Sequence, residues 1–262
     1  MADYKKNVLD LNVCACPHFS ECKKDICYGQ ERGDRITYKF RFDRARVGDE
    51  YGKNPNIPRV VMVGIEGFSD TQEIQGIPPL SLTADNPHYN GVKYVLSYLL
   101  ADFLGKRKPE PRITKSGVDW VKDALKSFCL CELFRCAFVP ISALEKSKGL
   151  CHTEAMKKYC TKRLIDEIKA LDAEIVVIQA TGSNSFPEEN FKLICEEFQC
   201  EKVCENEKRA RLLKGENNGH SILIIQTYHG AYARFKSHRY LEELNHVLDE
   251  AIKLYRSPSA TV

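Results

Sequence analysis

Two groups of residues carry chemistry. The first is an acid and an imidazole, each set just beyond an apolar run. Arg59-Val-Val-Met-Val-Gly-Ile leads into Glu66, with Asp70 close behind, and Ser221-Ile-Leu-Ile-Ile-Gln-Thr leads into Tyr228 and His229. A carboxylate can stabilise a cationic carbon or orient a water, and an imidazole can donate to a leaving group that gathers negative charge. The second group is cysteine, twelve among 262 residues. Four fall in one stretch, Cys14-Ala-Cys-Pro-His-Phe-Ser-Glu-Cys-Lys-Lys-Asp-Ile-Cys. Met1-Ala-Asp-Tyr-Lys-Lys leads into no apolar signal core, so secretion is not expected and a disulfide framework explains the cysteines poorly. A metal site suits them better, and all-thiolate ligation fits a [4Fe–4S] cluster or zinc. Cys129, Cys131 and Cys195 lie in apolar stretches and read as free thiols.

Composition narrows the classes. Hydrophobic residues make up 43% and charged residues 29%, which excludes disordered, collagen-like and coiled-coil chains. No apolar run approaches the ~20 residues that span a bilayer, so no membrane partner is expected and the location is taken as cytoplasmic. The net charge is only +3, so any nucleic-acid contact must come from local basic patches. Lys106-Arg-Lys and Lys236-Ser-His-Arg are two such patches, with solvated surface as the competing reading.

The elements that must position these residues alternate. Residues 1–55 are polar, irregular and cysteine-rich, with Tyr38, Phe40 and Phe42 at strand spacing. Residues 56–262 hold four apolar runs that read as buried strands. They begin at Arg59, Leu133, Ile175 and Ser221. Between them, 91–104, 118–125, 153–171, 188–198 and 240–255 carry apolar residues at helical spacing. The Gly-, Pro- and Asn-rich stretch 65–90 is a long loop, and such loops are usually functional. Alternating strands and helices predict an α/β fold: three layers, α/β/α, around a central, mostly parallel four-stranded sheet, with 1–55 packed on it as a metal-stapled segment. Ligands of such sheets bind at the carboxyl ends of the strands, where Glu66, Thr181-Gly-Ser-Asn-Ser and His229 would converge.

The order of these motifs resembles the uracil-DNA glycosylase superfamily. Val63-Gly-Ile-Glu-Gly-Phe stands where the family has Gly-x-Asp-Pro-Tyr or Gly-Glu-x-Pro-Gly. Thr227-Tyr-His-Gly-Ala-Tyr-Ala-Arg-Phe-Lys is similar to its closing His-Pro-Ser-type motif. Cys160-Thr-Lys-Arg-Leu-Ile-Asp-Glu-Ile-Lys is similar to the helix of the iron–sulfur members, which a ligand cysteine starts. The resemblance covers roughly 12–256.

The resemblance implies a uracil-DNA glycosylase-like fold and a monofunctional DNA glycosylase, acting on a nucleotide flipped out of the duplex. Glu66 would stabilise the oxocarbenium-like sugar, by analogy with glycoside hydrolysis, with Asp70 as a further acid and His229 as donor to the departing base. Gly64, Phe68, Tyr89 and Asn90 would hold the base, and Ser183, Arg234 and Lys236 the DNA phosphates. The implied iron–sulfur ligands are Cys16, Cys22 or Cys27, Cys151 and Cys160, with Cys136 competing with Cys151. The alternative is a zinc knot of Cys14, Cys16, Cys22 and Cys27. The chain departs from the family in lacking an asparagine in Phe134-Arg-Cys-Ala-Phe-Val, and in placing Gly67 and Gly230 where prolines are usual. Those departures point away from plain uracil, toward a uracil-like or modified pyrimidine, in base-excision repair or in defence against foreign DNA. A monomeric state is the simplest expectation for such an enzyme. The competing class is a non-catalytic, metal-stapled nucleic-acid-binding module.

Overall fold

Unbroken apolar runs, rich in β-branched residues, build the centre of the molecule. Val60-Val-Met-Val, Ile175-Val-Val-Ile and Ile222-Leu-Ile-Ile have no polar alternation, the pattern of strands covered on both faces. The computed structural model describes residues 4, 17–18, 21, 38–42, 46–64, 90–111, 119–132, 136–140, 154–181, 188–205, 210–228 and 237–257. In chain order these form β1 (Tyr38–Phe42), β2 (Arg46–Val47), β3 (Val60–Gly64), α1 (Asn90–Leu100), α2 (Val121–Lys126), β4 (Phe128–Glu132), β5 (Cys136–Pro140), α3 (Glu154–Ala170), β6 (Ile175–Thr181), α4 (Glu188–Glu197), β7 (Glu201–Glu205), β8 (Arg211–Asn217), β9 (His220–Tyr228) and α5 (His238–Arg256).

The main sheet has the order β2-β4-β3-β6-β9-β8-β7. Its centre, β4-β3-β6-β9, is parallel throughout. The two-residue β2 adds antiparallel to β4 on one side, and on the other β8 adds antiparallel to β9 and β7 antiparallel to β8. The sheet is therefore wider than the expected four strands. The extra width comes largely from β7 and β8; β7 is almost wholly exposed and β8 mixes buried Leu212 and Leu213 with exposed Lys214 and Glu216, which suits an antiparallel margin.

The second parallel strand also differs from the expectation. It is not Leu133–Pro140 but β4, directly upstream, which pairs with β3 from Val60–Phe128 to Gly64–Glu132. β5, within the expected strand, pairs instead with β1 in a separate antiparallel ribbon. Burial explains the exchange. Phe128, Cys129, Leu130 and Cys131 are all buried, so this five-residue run meets the two-sided demand of a central strand.

Two apolar layers sandwich the sheet. On one face Val61, Val63, Cys129, Cys131, Val176 and Ile178 pack with Met156, Leu164 and Ile168 of α3 and Ile194 of α4. On the other, Val60, Met62, Phe128, Leu130, Ile175 and Val177 pack with Val95 and Leu99 of α1 and Leu241, Leu244 and Leu248 of α5. Each of these side chains contributes roughly 1.5–3 kcal/mol when fully buried. A one-residue slip of any central strand would exchange its two faces, so the register is tightly specified. Val47 and Tyr51, from the expected N-terminal segment, belong to the first layer, and the Tyr51 hydroxyl donates to the Leu171 carbonyl at 3.0 Å.

Candidate functional site

Parallel pairing brings the carboxyl ends of β4, β3, β6 and β9 to one edge of the sheet. Glu132 and Gly64 are paired at that edge, and Gln179 and Thr227 are paired beside them. The chain leaves β3 at Gly64, two residues before Glu66, and leaves β9 at Tyr228, one residue before His229. β6 lies between, so these exits are two strand spacings apart, on the order of 10 Å. Glu66, Phe68, Asp70, Tyr89, Ser183, His229, Arg234 and Lys236 lie outside the described residues, as do Cys16, Cys22, Cys27 and Cys151.

The helices over one face begin at this same edge. α1 and α5 run side by side in the same direction, joined by Tyr94 Oη donating to Asn245 Oδ1 at 2.8 Å and by Tyr98 Oη to the Asp249 carboxylate at 3.1 Å. Burial pushes the Tyr94 phenol up to about 12, so it stays a neutral donor. The far end of α5 sits at the opposite edge, where Tyr255 Oη reaches Glu174, the residue preceding β6. Both helix N-termini, with their positive partial charge, therefore lie at the carboxyl edge of the strands.

Four residues that pattern reading passed over stand at or close to this edge. Gln179 is 3% exposed, and its Nε2 has no hydrogen-bond partner among the described residues. Gln226 is also buried, with Oε1 in the same condition, on the opposite face by strand alternation. Lys93 is a buried and engaged ammonium in the first turn of α1. Tyr240, fully buried in the first turn of α5, accepts the Tyr228 backbone N–H on its hydroxyl at 3.1 Å. Their rings pack edge to face at 5.1 Å, which fixes the end of β9 immediately before His229. A buried polar residue inside an apolar run was the available signal for the two glutamines. Asn90, expected at the base, opens α1, and its buried Oδ1 has no partner among the described residues.

The basic patches divide. Lys108 is tied down by Asp249 at 2.7 Å and Asp102 at 3.6 Å, and it lies over the Tyr98 ring, beyond the end of α1 remote from the strands' carboxyl edge. It is a clamp between helices rather than a phosphate contact at this edge. His238 and Arg239, in contrast, lie at the site end of α5, exposed and paired with Glu242 and Glu243 one turn on.

The cysteines also divide. Cys129, Cys131 and Cys160 are buried in the α3-side layer, Cys160 well inside α3 rather than at its start. No three His, Cys, Asp or Glu side chains among the described residues are grouped to hold a metal. Yet the N-terminal cysteine stretch touches α3 next to Cys160. The His18 ring stacks on Tyr159 at 3.6 Å, and Tyr159 Oη donates to Glu21 at 2.7 Å. That hydrogen bond is the main reason the Glu21 carboxyl titrates below the usual range. His18 and Glu21 lie between Cys16 and Cys22 in the chain.

The geometry so far defines an α/β protein of parallel core with polar residues gathered at the carboxyl edge of its strands. No described helix is long and apolar enough to cross a membrane. No protein-family model matches the chain, and no curated protein matches it.

Proposed function

We propose that this chain is a monofunctional DNA glycosylase that releases a uracil-like or modified pyrimidine and leaves an abasic site. The observation that supports the reading is the shared exit of β3 and β9 at one sheet edge, from which the sequence reaches Glu66 two residues after Gly64 and His229 one residue after Tyr228. The Gln179 Nε2 and Asn90 Oδ1 atoms, buried at that edge without a partner among the described residues, support it, because such groups are costly without a ligand or partner.

In this reaction the bond between C1′ and the base nitrogen breaks, and its electron pair leaves with the base. His229 donates a hydrogen bond to the base oxygen on which that charge gathers. Glu66 faces the cationic sugar and takes a proton from the water whose oxygen bonds to C1′. That proton finally resides on the released base, so the step balances without a redox partner. Asp70 is a further acid of the same loop. Phe68 and Tyr89 supply stacking, and Ser183, Arg234 and Lys236 phosphate contacts.

A thiolate-bound metal would serve this chain as a staple on the α3 side of the sheet. The stacking of His18 on Tyr159 supports it, since it brings the stretch flanked by Cys16 and Cys22 to the neighbour of Cys160. Cys16, Cys22 or Cys27, Cys151 and Cys160 are the proposed ligands, for [4Fe–4S] in the first instance and zinc in the second. When bound, the metal would supply structural cross-linking.

The deciding experiment pairs Glu66→Gln with the wild type on oligonucleotides carrying single modified pyrimidines. Base release should fall by about a hundredfold or more while DNA affinity stays within about twofold. Equal abasic-site formation by both proteins would remove Glu66 from the chemistry. Binding without release by either would favour the non-catalytic module.

A further inference from the structure

The hydrogen bonds that close α4 also set two sulfurs side by side. Gln199 takes a positive φ of 51°, and its N–H donates to the Glu196 carbonyl at 3.2 Å. The Cys200 N–H then reaches back to the Cys195 carbonyl at 2.8 Å. This pair of bonds ends a helix through one left-handed residue, and it turns the side chain that follows against one in the last turn of the helix. That contact is ordinarily apolar. Here its two members are thiols, Cys195 and Cys200, and they share a hydrogen bond. The bond lowers the Cys195 thiol and raises that of Cys200, so Cys200 donates and Cys195 is the sulfur that ionises first.

β8 holds the turn in place. The Glu216 N–H donates to the Phe198 carbonyl at 2.8 Å. Gly215 leaves room for the second thiol, since a Cβ there would stand 2.9 Å from Cys200 Sγ. Both cysteines are partly exposed and rest on the α3-side layer, whereas Cys204, the next sulfur along the chain, packs on the opposite layer. Cysteines can be bridged without moving the backbone only where their side chains already meet, and these two do.

We propose that Cys195 and Cys200 form a thiol–disulfide exchange site, which small disulfides of the glutathione type convert to an internal disulfide. This chemistry is independent of the glycosylase reading. The Cys195 thiolate attacks one sulfur of glutathione disulfide, whose S–S bond breaks and releases one glutathione thiolate. Cys200 gives up its proton to that thiolate and attacks the Cys195 sulfur, which expels the second glutathione. The two protein thiols are oxidised, and one glutathione disulfide is reduced to two glutathione thiols.

The test equilibrates the full chain, free of oxygen, with mixtures of reduced and oxidised glutathione, then quenches with acid and blocks the remaining thiols with N-ethylmaleimide. Trypsin cuts after Lys192 and Lys202, so both sulfurs fall in one peptide, 193–202, which holds no other cysteine. Wild type should yield this peptide unblocked and two hydrogens lighter, with the glutathione adduct at about a tenth of it or less. Cys200→Ser should stop at the glutathione adduct on Cys195. In urea, where the turn no longer holds the sulfurs together, the equilibrium constant for closing the bridge in wild type should fall about tenfold or more. A wild-type peptide that stays reduced at every glutathione ratio, or that accumulates as the adduct, overturns the inference. An equal constant in urea overturns it too, because sequence spacing alone would then make the bridge.

Discussion

At the scale of single residues, burial and partners separate cysteines that look alike in sequence. Cys129 and Cys131 are sealed in the α3-side layer, while Cys195 of α4 is partly exposed and shares a hydrogen bond with Cys200. That bond lowers the Cys195 thiol below its ordinary value and raises that of Cys200. Cys195 therefore holds more thiolate near neutral pH and is the first described cysteine to react. Iodoacetamide labelling followed by peptide mass analysis should find Cys195 modified well before Cys129 and Cys131. Cys200→Ala should move its labelling midpoint to higher pH. Labelling of Cys129 at the same rate would contradict the burial. Apolar context marked all three as free thiols, and no motif distinguished them. The distinction depends on Cys200, which only the turn after α4 brings back to Cys195. Gln179 and Gln226 were legible in principle, as polar residues closing buried runs, whereas Tyr240 was not. Its contact with Tyr228 joins two elements across a loop.

At the scale of elements, periodicity located α1, α3, α4 and α5 to within a few residues and three of the four central strands. It failed at β4, where Phe128-Cys-Leu-Cys-Glu is short and abuts α2 through the single residue Ser127. A five-residue apolar run beside a helix has no period of its own to declare it a strand. The β8–β9 hairpin did have a signal. Asn218 and Gly219 take positive φ of 50° and 82°, the left-handed pair that an Asn-Gly turn supplies. The device that matters most for the proposed site is the clasp of α5 on β9. Tyr240→Phe keeps the ring but removes the acceptor for the Tyr228 N–H. A buried N–H left unpaired costs about 1–3 kcal/mol, so chemical denaturation should show a loss in that range. If the clasp also positions His229, the rate of base release should fall further than DNA affinity does. An unchanged midpoint would mean that the hydroxyl holds nothing.

At the scale of the whole molecule, the question is what ties the cysteine-rich N-terminal stretch to the α/β core. Among the described residues three contacts do so without any metal: His18 stacked on Tyr159, the Tyr159 hydroxyl donating to Glu21, and Tyr4 edge-on to Tyr51 at 5.4 Å. All three meet the α3 side of the sheet, whereas Gln179, in alternation with Ile175 and Val177, faces α1 and α5. The N-terminal attachment therefore meets the face of the sheet opposite Gln179, so a change at the first need not deform the second. Tyr159→Ala removes the stack and the hydroxyl that Glu21 accepts. Ring stacking of this kind is worth about 1 kcal/mol, which corresponds to roughly a fivefold greater population of the detached segment. Limited trypsin digestion should accordingly cut within 1–37 several-fold faster in the variant, while the melting temperature of the core shifts by no more than a few degrees. A metal held between this stretch and Cys160 should act in parallel. Chelation of iron or zinc from wild type would then accelerate the same cuts, and chelation added to Tyr159→Ala would accelerate them further. Identical digestion of wild type with and without chelator, together with an absence of bound iron and zinc, would leave the fastening to side-chain contacts such as these and remove the metal from the proposal.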